Sequence, residues 1–177
     1  MKMPSNIEFK GESKTVLLKS LLAVAPEEGC ALLLGKIKKH ELSKPKKIVY
    51  EISLIWPCHN IWELGIKYLD DANKSLNKAK IHESKENRFL IDPREQLIAQ
   101  KWARARNLLI LGHAHSHPNG VAIPSTTDLA STTSSTLMLI ANNNEDLRAW
   151  WIKNSESKLG IEIPWDSQHQ NIYSQRS

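Results

Sequence analysis

An α/β fold is predicted by three features of this 177-residue sequence. Short apolar runs flanked by glycine or turn residues make buried strands. Segments with apolar side chains three and four positions apart make helices that pack on them, and the two kinds alternate along the chain. The length suits one domain spanning 1–177, and 41% hydrophobic with 24% charged residues is the composition of a globular protein with a real core. No internal repeat is visible.

The chain opens without an apolar run, and no stretch approaches the ~20 apolar residues of a membrane span, so the cytoplasm is the expected compartment. Residues 6–10 read as a first strand. A helix follows over 13–25, with Val16, Leu17, Leu21 and Val24 on one face and Pro26 barring its continuation. Pro26-Glu27-Glu28-Gly29 makes a sharp turn into 30–35, a continuous apolar run read as a buried strand. Acids at the mouth of such a strand are where a general base can overhang a site, although a surface glutamate at a turn is the ordinary explanation.

Segment 36–47 holds six lysines and one glutamate, a balance of +5 that equals the formal charge of the whole chain. It reads as a solvated hairpin connection. No aromatic residues interleave with the lysines to stack on bases, which argues against nucleic acid as a partner. Residues 47–56 form the next strand, closed by Pro57-Cys58-His59-Asn60, with His59 facing solvent. The two cysteines, Cys30 and Cys58, lack metal-ligand or disulfide spacing and are expected as free thiols.

Residues 61–87 place Leu64, Tyr68, Ala72, Leu76 and Ala79 at amphipathic-helix spacing within a polar background. Residues 88–91 read as a strand leading to a helix with Asp92 as N-cap, Pro93 in its first position and Glu95 completing a capping box. That helix extends to about Arg106. Leu97, Ile98, Trp102 and Ala105 supply its predicted buried face, and Arg104 and Arg106 suit its C-terminal end. Further on, 137–141 and 147–152 are strands about a turn at 142–146. A turn is expected near 155–157, and 166–177 is a polar, frayed tail in which His169 is no ligand.

The stretch that carries chemistry is 108–128. An apolar run, 108–111, makes a buried strand, and continued extension puts His113, His115 and His117 on one side, where two imidazoles can converge on a metal. Gly120 and Pro124 punctuate a loop, after which Ser125 caps a helix bearing Asp128 in its first turn. Two neutral nitrogens and one carboxylate make a three-ligand site of the catalytic type, with a fourth position open to water. Such a site needs a base and an oxyanion donor; Ser125 is placed for the second role.

These residues resemble the signature of JAMM (MPN-plus) metalloproteases: His115-Ser116-His117-Pro118, seven residues from Pro118 to Pro124, then Ser125-x-x-Asp128. A pair formed by His113 and His115 would put Ile123 and Thr126 where that signature has Ser and Asp, which leaves His113 as a neighbour. Glu28-Gly29-Cys30-Ala31-Leu32-Leu33 resembles the family's Glu-x-Cys-Gly-x-Leu pattern, with Ala31 in place of Gly. Arg148-Ala149-Trp150 and the Arg-Phe-x-Ile-Asp-Pro stretch at 88–93 resemble the family as well. The corresponding connection is often shorter in relatives, which makes 61–87 an insertion beside the cleft.

The resemblance implies a curved mixed sheet flanked by helices, more distantly like the deaminase sandwich. It also implies Zn²⁺ held by His115, His117 and Asp128, with Glu28 as base and Ser125 as oxyanion donor. The activity implied is (iso)peptidase cleavage after the C-terminal tail of a ubiquitin-like protein, and the small stand-alone type points to a sulfur carrier. Two other classes compete. A catalytically silent MPN scaffold would lack ligands or base, and a RadC-like DNA-associated protein would lack the Glu-x-Cys pattern.

Overall fold

Strand and helix alternate as expected: β1 (Asn6–Phe9), α1 (Ser13–Leu22), β2 (Cys30–His40), β3 (Lys47–Cys58), α2 (Pro93–Arg104), β4 (Leu109–His117), α3 (Thr126–Ser131), β5 (Thr136–Asn142), β6 (Leu147–Lys153), β7 (Leu159–Ile163) and β8 (Trp165–Asp166). The computed structural model describes residues 1–40, 46–62, 84–154 and 159–166. Its strands form one curled mixed sheet in the order β7-β6-β5-β4-β2-β3-β1-β8. The class is α/β, as predicted.

The apolar runs lie at the centre of this sheet because a strand flanked on both edges and covered on both faces has no polar side to offer. β2 pairs antiparallel with both β3 and β4, while β4 and β5 are parallel. A parallel pair needs a crossover, and the loop after His117 together with α3 supplies it. One face of the sheet buries Leu17 and Leu21 of α1 against Leu33, Tyr50, Ile52 and Leu139. The opposite face buries Leu32 and Leu34 against Ala99 and Ala103 of α2.

Both longer helices depart from expectation in detail. α1 stops at Leu22 rather than near 25, and Val16 and Val24 are 43% and 47% exposed, leaving Leu17 and Leu21 as the buried stripe. The cause is local: the Leu21 carbonyl accepts a hydrogen bond from the Ser116 hydroxyl, while the Ala25 amide donates to Leu22, so the helical ladder does not continue. In α2, Leu97 and Ile98 are 60% and 59% exposed, and the buried positions are Ala99 and Ala103. Small residues let the helix approach the sheet, and Trp102 packs edge-on against Trp56, 5.6 Å between ring centres. Ala105 falls beyond the helix end and is exposed.

Asp92 caps α2 as predicted, accepting from the Arg94 amide at 2.8 Å, with Pro93 first in the helix. Glu95 instead reaches the His59 amide. The strand expected at 88–91 is reduced to one bridge between Asn60 and Ile91, because the neighbouring backbone groups bond to the Asn60 side chain. Of the lysine-rich segment, 36–40 belong to β2 and Lys47 opens β3, while 41–45 lie outside the described residues; Lys38 is ion-paired with Glu51 and Glu8. Strand β7 and Trp165 of β8 continue the fold past the predicted last strand, and Asp166, the expected start of the tail, is in β8. Most of the predicted helical insertion, the turn at 155–157 and residues 167–177 lie outside the described residues.

Candidate metal centre

The alternation of β4 puts His113, His115 and His117 on the α2 side of the sheet, and the pairing of β4 with β2 decides what they face. Cys30 lies opposite His115 and Leu32 opposite His113. Extended by two residues, the same register sets Glu28 opposite His117, and the Ser116 amide bonded to the Gly29 carbonyl at 3.0 Å continues the ladder to that point. The acid and the histidines, distant in sequence, thus meet at one sheet end.

Asp128 arrives from the crossover. Ser125 caps α3 with an extended backbone, and its hydroxyl accepts from the Asp128 amide at 3.1 Å. Asp128 returns the bond: its Oδ2 accepts from the Ser125 amide and hydroxyl, both at 2.7 Å, completing a capping box. The box holds the carboxylate over the histidines. Asp128 Oδ1 lies 3.5 Å from His115 Nε2, Oδ2 lies 3.4 Å from His117 Nε2, and the two Nε2 atoms are 2.9 Å apart.

His115, His117 and Asp128 could therefore hold a metal ion, with one donor atom each and all donors within 4.8 Å of one another. A tetrahedral ion bound at 2.0–2.1 Å requires about 3.3 Å between its ligand atoms. The distance between the two Nε2 atoms, and that from each to one of the two Asp128 oxygens, lie within about half an ångström of that value, so the donor set suits such an ion. Among the described residues this is the one such group. His113 is not part of it, nor are His59 and the cysteines.

The two imidazoles are oriented by different means. His117 Nδ1 lies 2.9 Å from the Val121 carbonyl, which fixes Nδ1 as the protonated nitrogen and leaves the Nε2 lone pair facing Asp128. His115 is fully buried and lies in a stack on Phe89, 4.4 Å between centroids at 20°. Its Nδ1 has no hydrogen-bond partner among the described residues. Trp150 Nε1 donates to the Ala122 carbonyl at 3.0 Å and so pins the loop that supplies the Val121 oxygen.

Electrostatically the pocket is built for a cation. Burial works against the Asp128 charge, yet the adjoining His115 and His117 rings and the Ser125 hydrogen bond hold its carboxyl below the usual carboxylate range. Burial alone would push the His117 imidazole down, but Asp128, the Val121 carbonyl and Glu28 together lift it above its ordinary value. Burial keeps His115 and His113 neutral, the latter lowered to about 4. Glu28 is 5% exposed, and burial raises its carboxyl to about 7 although His117 draws it down. Its Oε1 lies 4.0 Å from His117 Nε2.

Three contributors beyond the signature emerge. Ser116 is fully buried and its hydroxyl accepts from the Gly29 amide at 2.8 Å while donating to Leu21, so it ties the acid's turn to the histidine strand. Gly29 passes so near the Leu21 carbonyl that a side chain would collide with it. Asn60 bonds the Glu28 carbonyl at 3.0 Å. The signal available for these in the sequence was position alone, between or beside residues that carry chemistry. Ala31, where the pattern has Gly, is fully buried opposite Ala114 and Pro57, and its methyl group is part of the core.

Residues 13–153 match the family described as prokaryotic homologs of the JAB domain. No curated protein matches the sequence significantly. Among solved structures, the fold is similar to the solution structure of a protein from Desulfitobacterium hafniense, 23% identical, with a TM-score of 0.63 over 90% of this chain and 92% of that one. A solution structure from Salinibacter ruber is 19% identical, with a TM-score of 0.53 over the same shares. A JAB1/MPN domain protein from Archaeoglobus fulgidus is 15% identical, with a TM-score of 0.47 over 93% of this chain and 100% of that one.

Proposed function

The chain belongs to the family of prokaryotic homologs of the JAB domain, and on that premise we propose that it is a zinc-dependent peptidase. Its proposed substrate is the amide bond that follows the C-terminal tail of a ubiquitin-like protein of the sulfur-carrier kind. The observation that carries this reading is the convergence of a buried acid, Glu28, on three residues able to hold a metal. A scaffold has no need of an acid kept in that position at the cost of burial.

Two imidazoles and one carboxylate at tetrahedral spacing suit zinc among the common ions. When bound, zinc supplies Lewis acidity and a water acidic enough to lose its proton near neutral pH. Glu28 accepts that proton at its carboxylate and returns it to the departing amine. Ser125 turns its hydroxyl from Asp128 toward the developing oxyanion. Phe89, stacked on His115, keeps bulk water from that side of the pocket.

The test uses a ubiquitin-fold carrier extended by one residue beyond a Gly-Gly tail, followed by intact mass. Zinc-loaded protein should release the extension. Chelated protein and Glu28→Gln should be slower by about 10²-fold or more. Equal processing in all three samples removes the mechanism, and no processing by zinc-loaded protein removes the substrate assignment.

A further inference from the structure

The Asn60 carboxamide makes four hydrogen bonds, every one to main chain. Its Nδ2 donates to the Glu28 carbonyl at 3.0 Å and to the Arg88 carbonyl at 2.8 Å. Its Oδ1 accepts from the Trp62 amide at 3.1 Å and the Leu90 amide at 3.2 Å. That exhausts the side chain's two donors and uses both lone pairs of its oxygen. With two carbonyls on one side and two amides on the other, the orientation of the amide is fixed by its partners.

Glu28 precedes β2, so no strand ladder holds its own peptide groups. Three separate contacts do so instead. Its amide donates to the Lys85 carbonyl at 2.6 Å, its carbonyl accepts from Asn60, and the next amide, Gly29, donates to Ser116 at 2.8 Å. Among the described residues, only the Asn60 bond ties Glu28 to the turn that follows β3 and at the same time to the 88–90 segment, which carries Phe89 over His115. A turn that merely changed direction would need no such tie.

We propose that Asn60 is a positioning residue for Glu28, holding the peptide of the base in register with the metal ligands; this rests on the reading of Glu28 as the base. No other side chain reproduces the arrangement. Aspartate keeps the acceptors for Trp62 and Leu90 but has no donor for Glu28 and Arg88. Glutamine is one carbon too long, and alanine removes both halves. Aspartate and alanine therefore separate holding Glu28 from organising the loop.

The experiment compares zinc-loaded full-length protein with Asn60→Asp and Asn60→Ala, reading amide hydrogen exchange by NMR, zinc affinity, and kcat and KM on the extended carrier. Turnover is measured at pH 9, where an added carboxylate no longer affects how much of Glu28 is ionised. In both variants the Glu28 and Gly29 amides should exchange about tenfold faster or more, while Leu139 in the core stays as protected as before. Trp62 and Leu90 should lose protection in Asn60→Ala and keep it in Asn60→Asp. Zinc affinity should hold, KM should change little, and kcat should fall about 10²-fold in both. Wild-type exchange at Glu28 and Gly29 in Asn60→Asp, or full kcat in that variant, overturns the proposal. If the wild-type enzyme leaves the carrier intact, the substrate assignment fails, and the exchange data alone still decide whether Asn60 holds this peptide.

Discussion

Replacing Glu28 by glutamine should stabilise the metal-free protein while abolishing hydrolysis, and the pH dependence of that gain can be worked from the structure. A carboxyl that ionises near 4.5 in the unfolded chain and at about 7 in the fold binds its proton more tightly when folded. Stability therefore falls as pH rises between these values, and the loss is complete above 7. Linkage puts the cost of the buried charge under about 1 kcal/mol at pH 5 and near 3 kcal/mol at pH 8. Glutamine fills the same space without a charge, so the variant should exceed wild type by up to about 3 kcal/mol at pH 8 and by little at pH 5.

The assay is urea unfolding in the presence of a chelator, followed by tryptophan fluorescence, at several values from pH 5 to pH 8. His117 runs in the same direction, since its raised proton affinity also gives stability that is lost as pH rises; Glu28 is the last-ranked of the groups that raise it, so most of this contribution is common to both proteins and cancels in the difference. Asp128 acts oppositely and only at lower pH, because its carboxyl is held below the usual range. Added zinc puts positive charge beside the acid and should narrow the gap. A variant no more stable than wild type at pH 8, or a gap that ignores pH, would refute the reasoning that burial sets the proton affinity of Glu28.

Two further outcomes bear on parts of the structure the signature does not contain. Trp150→Phe removes the bond to the Ala122 carbonyl and loosens the loop whose Val121 oxygen orients His117, so zinc affinity should drop about tenfold by competition with a chromogenic chelator; undiminished affinity refutes the relay. Leu17→Ala, in the fully buried stripe of α1, should cost about 2–5 kcal/mol in urea unfolding, whereas Leu97→Ala on the outer side of α2 should stay within about 0.5 kcal/mol. Equal costs would mean that α2 packs by the face its apolar residues suggest.

The strands were legible because their apolar runs admit only burial on two faces, and the site was legible because two histidines, a capping serine and an aspartate occur at a spacing that β4, its loop and α3 translate into proximity. Faces of helices were less so. Leu97 and Ile98 have the hydrophobicity of core residues, but α2 meets the sheet through the methyl groups of Ala99 and Ala103, with Trp102 packed beside them. Small residues leave a weak trace in a hydrophobic pattern although they decide how closely two elements approach. Asn60 and Ser116 were invisible for another reason: a polar side chain that binds main chain across the fold has partners no local pattern reveals.

The link between Glu28 and the histidines was also beyond spacing arguments, and sheet register explains why it is nonetheless firm. Successive pairs of β2 and β4, from Leu33 with Gly112 to Cys30 with His115, set one relation that places Glu28 across from His117. A slip of one residue would turn the acid to the α1 side of the sheet, away from Asp128, and would also bury the wrong half of β2. The apolar contacts that seat Leu32 and Leu34 against α2, and Ala31 and Leu33 against the α1 side, therefore forbid that slip. The same burial that stabilises the fold fixes the acid beside the metal ligands, so the chemistry of the site inherits its geometry from the core.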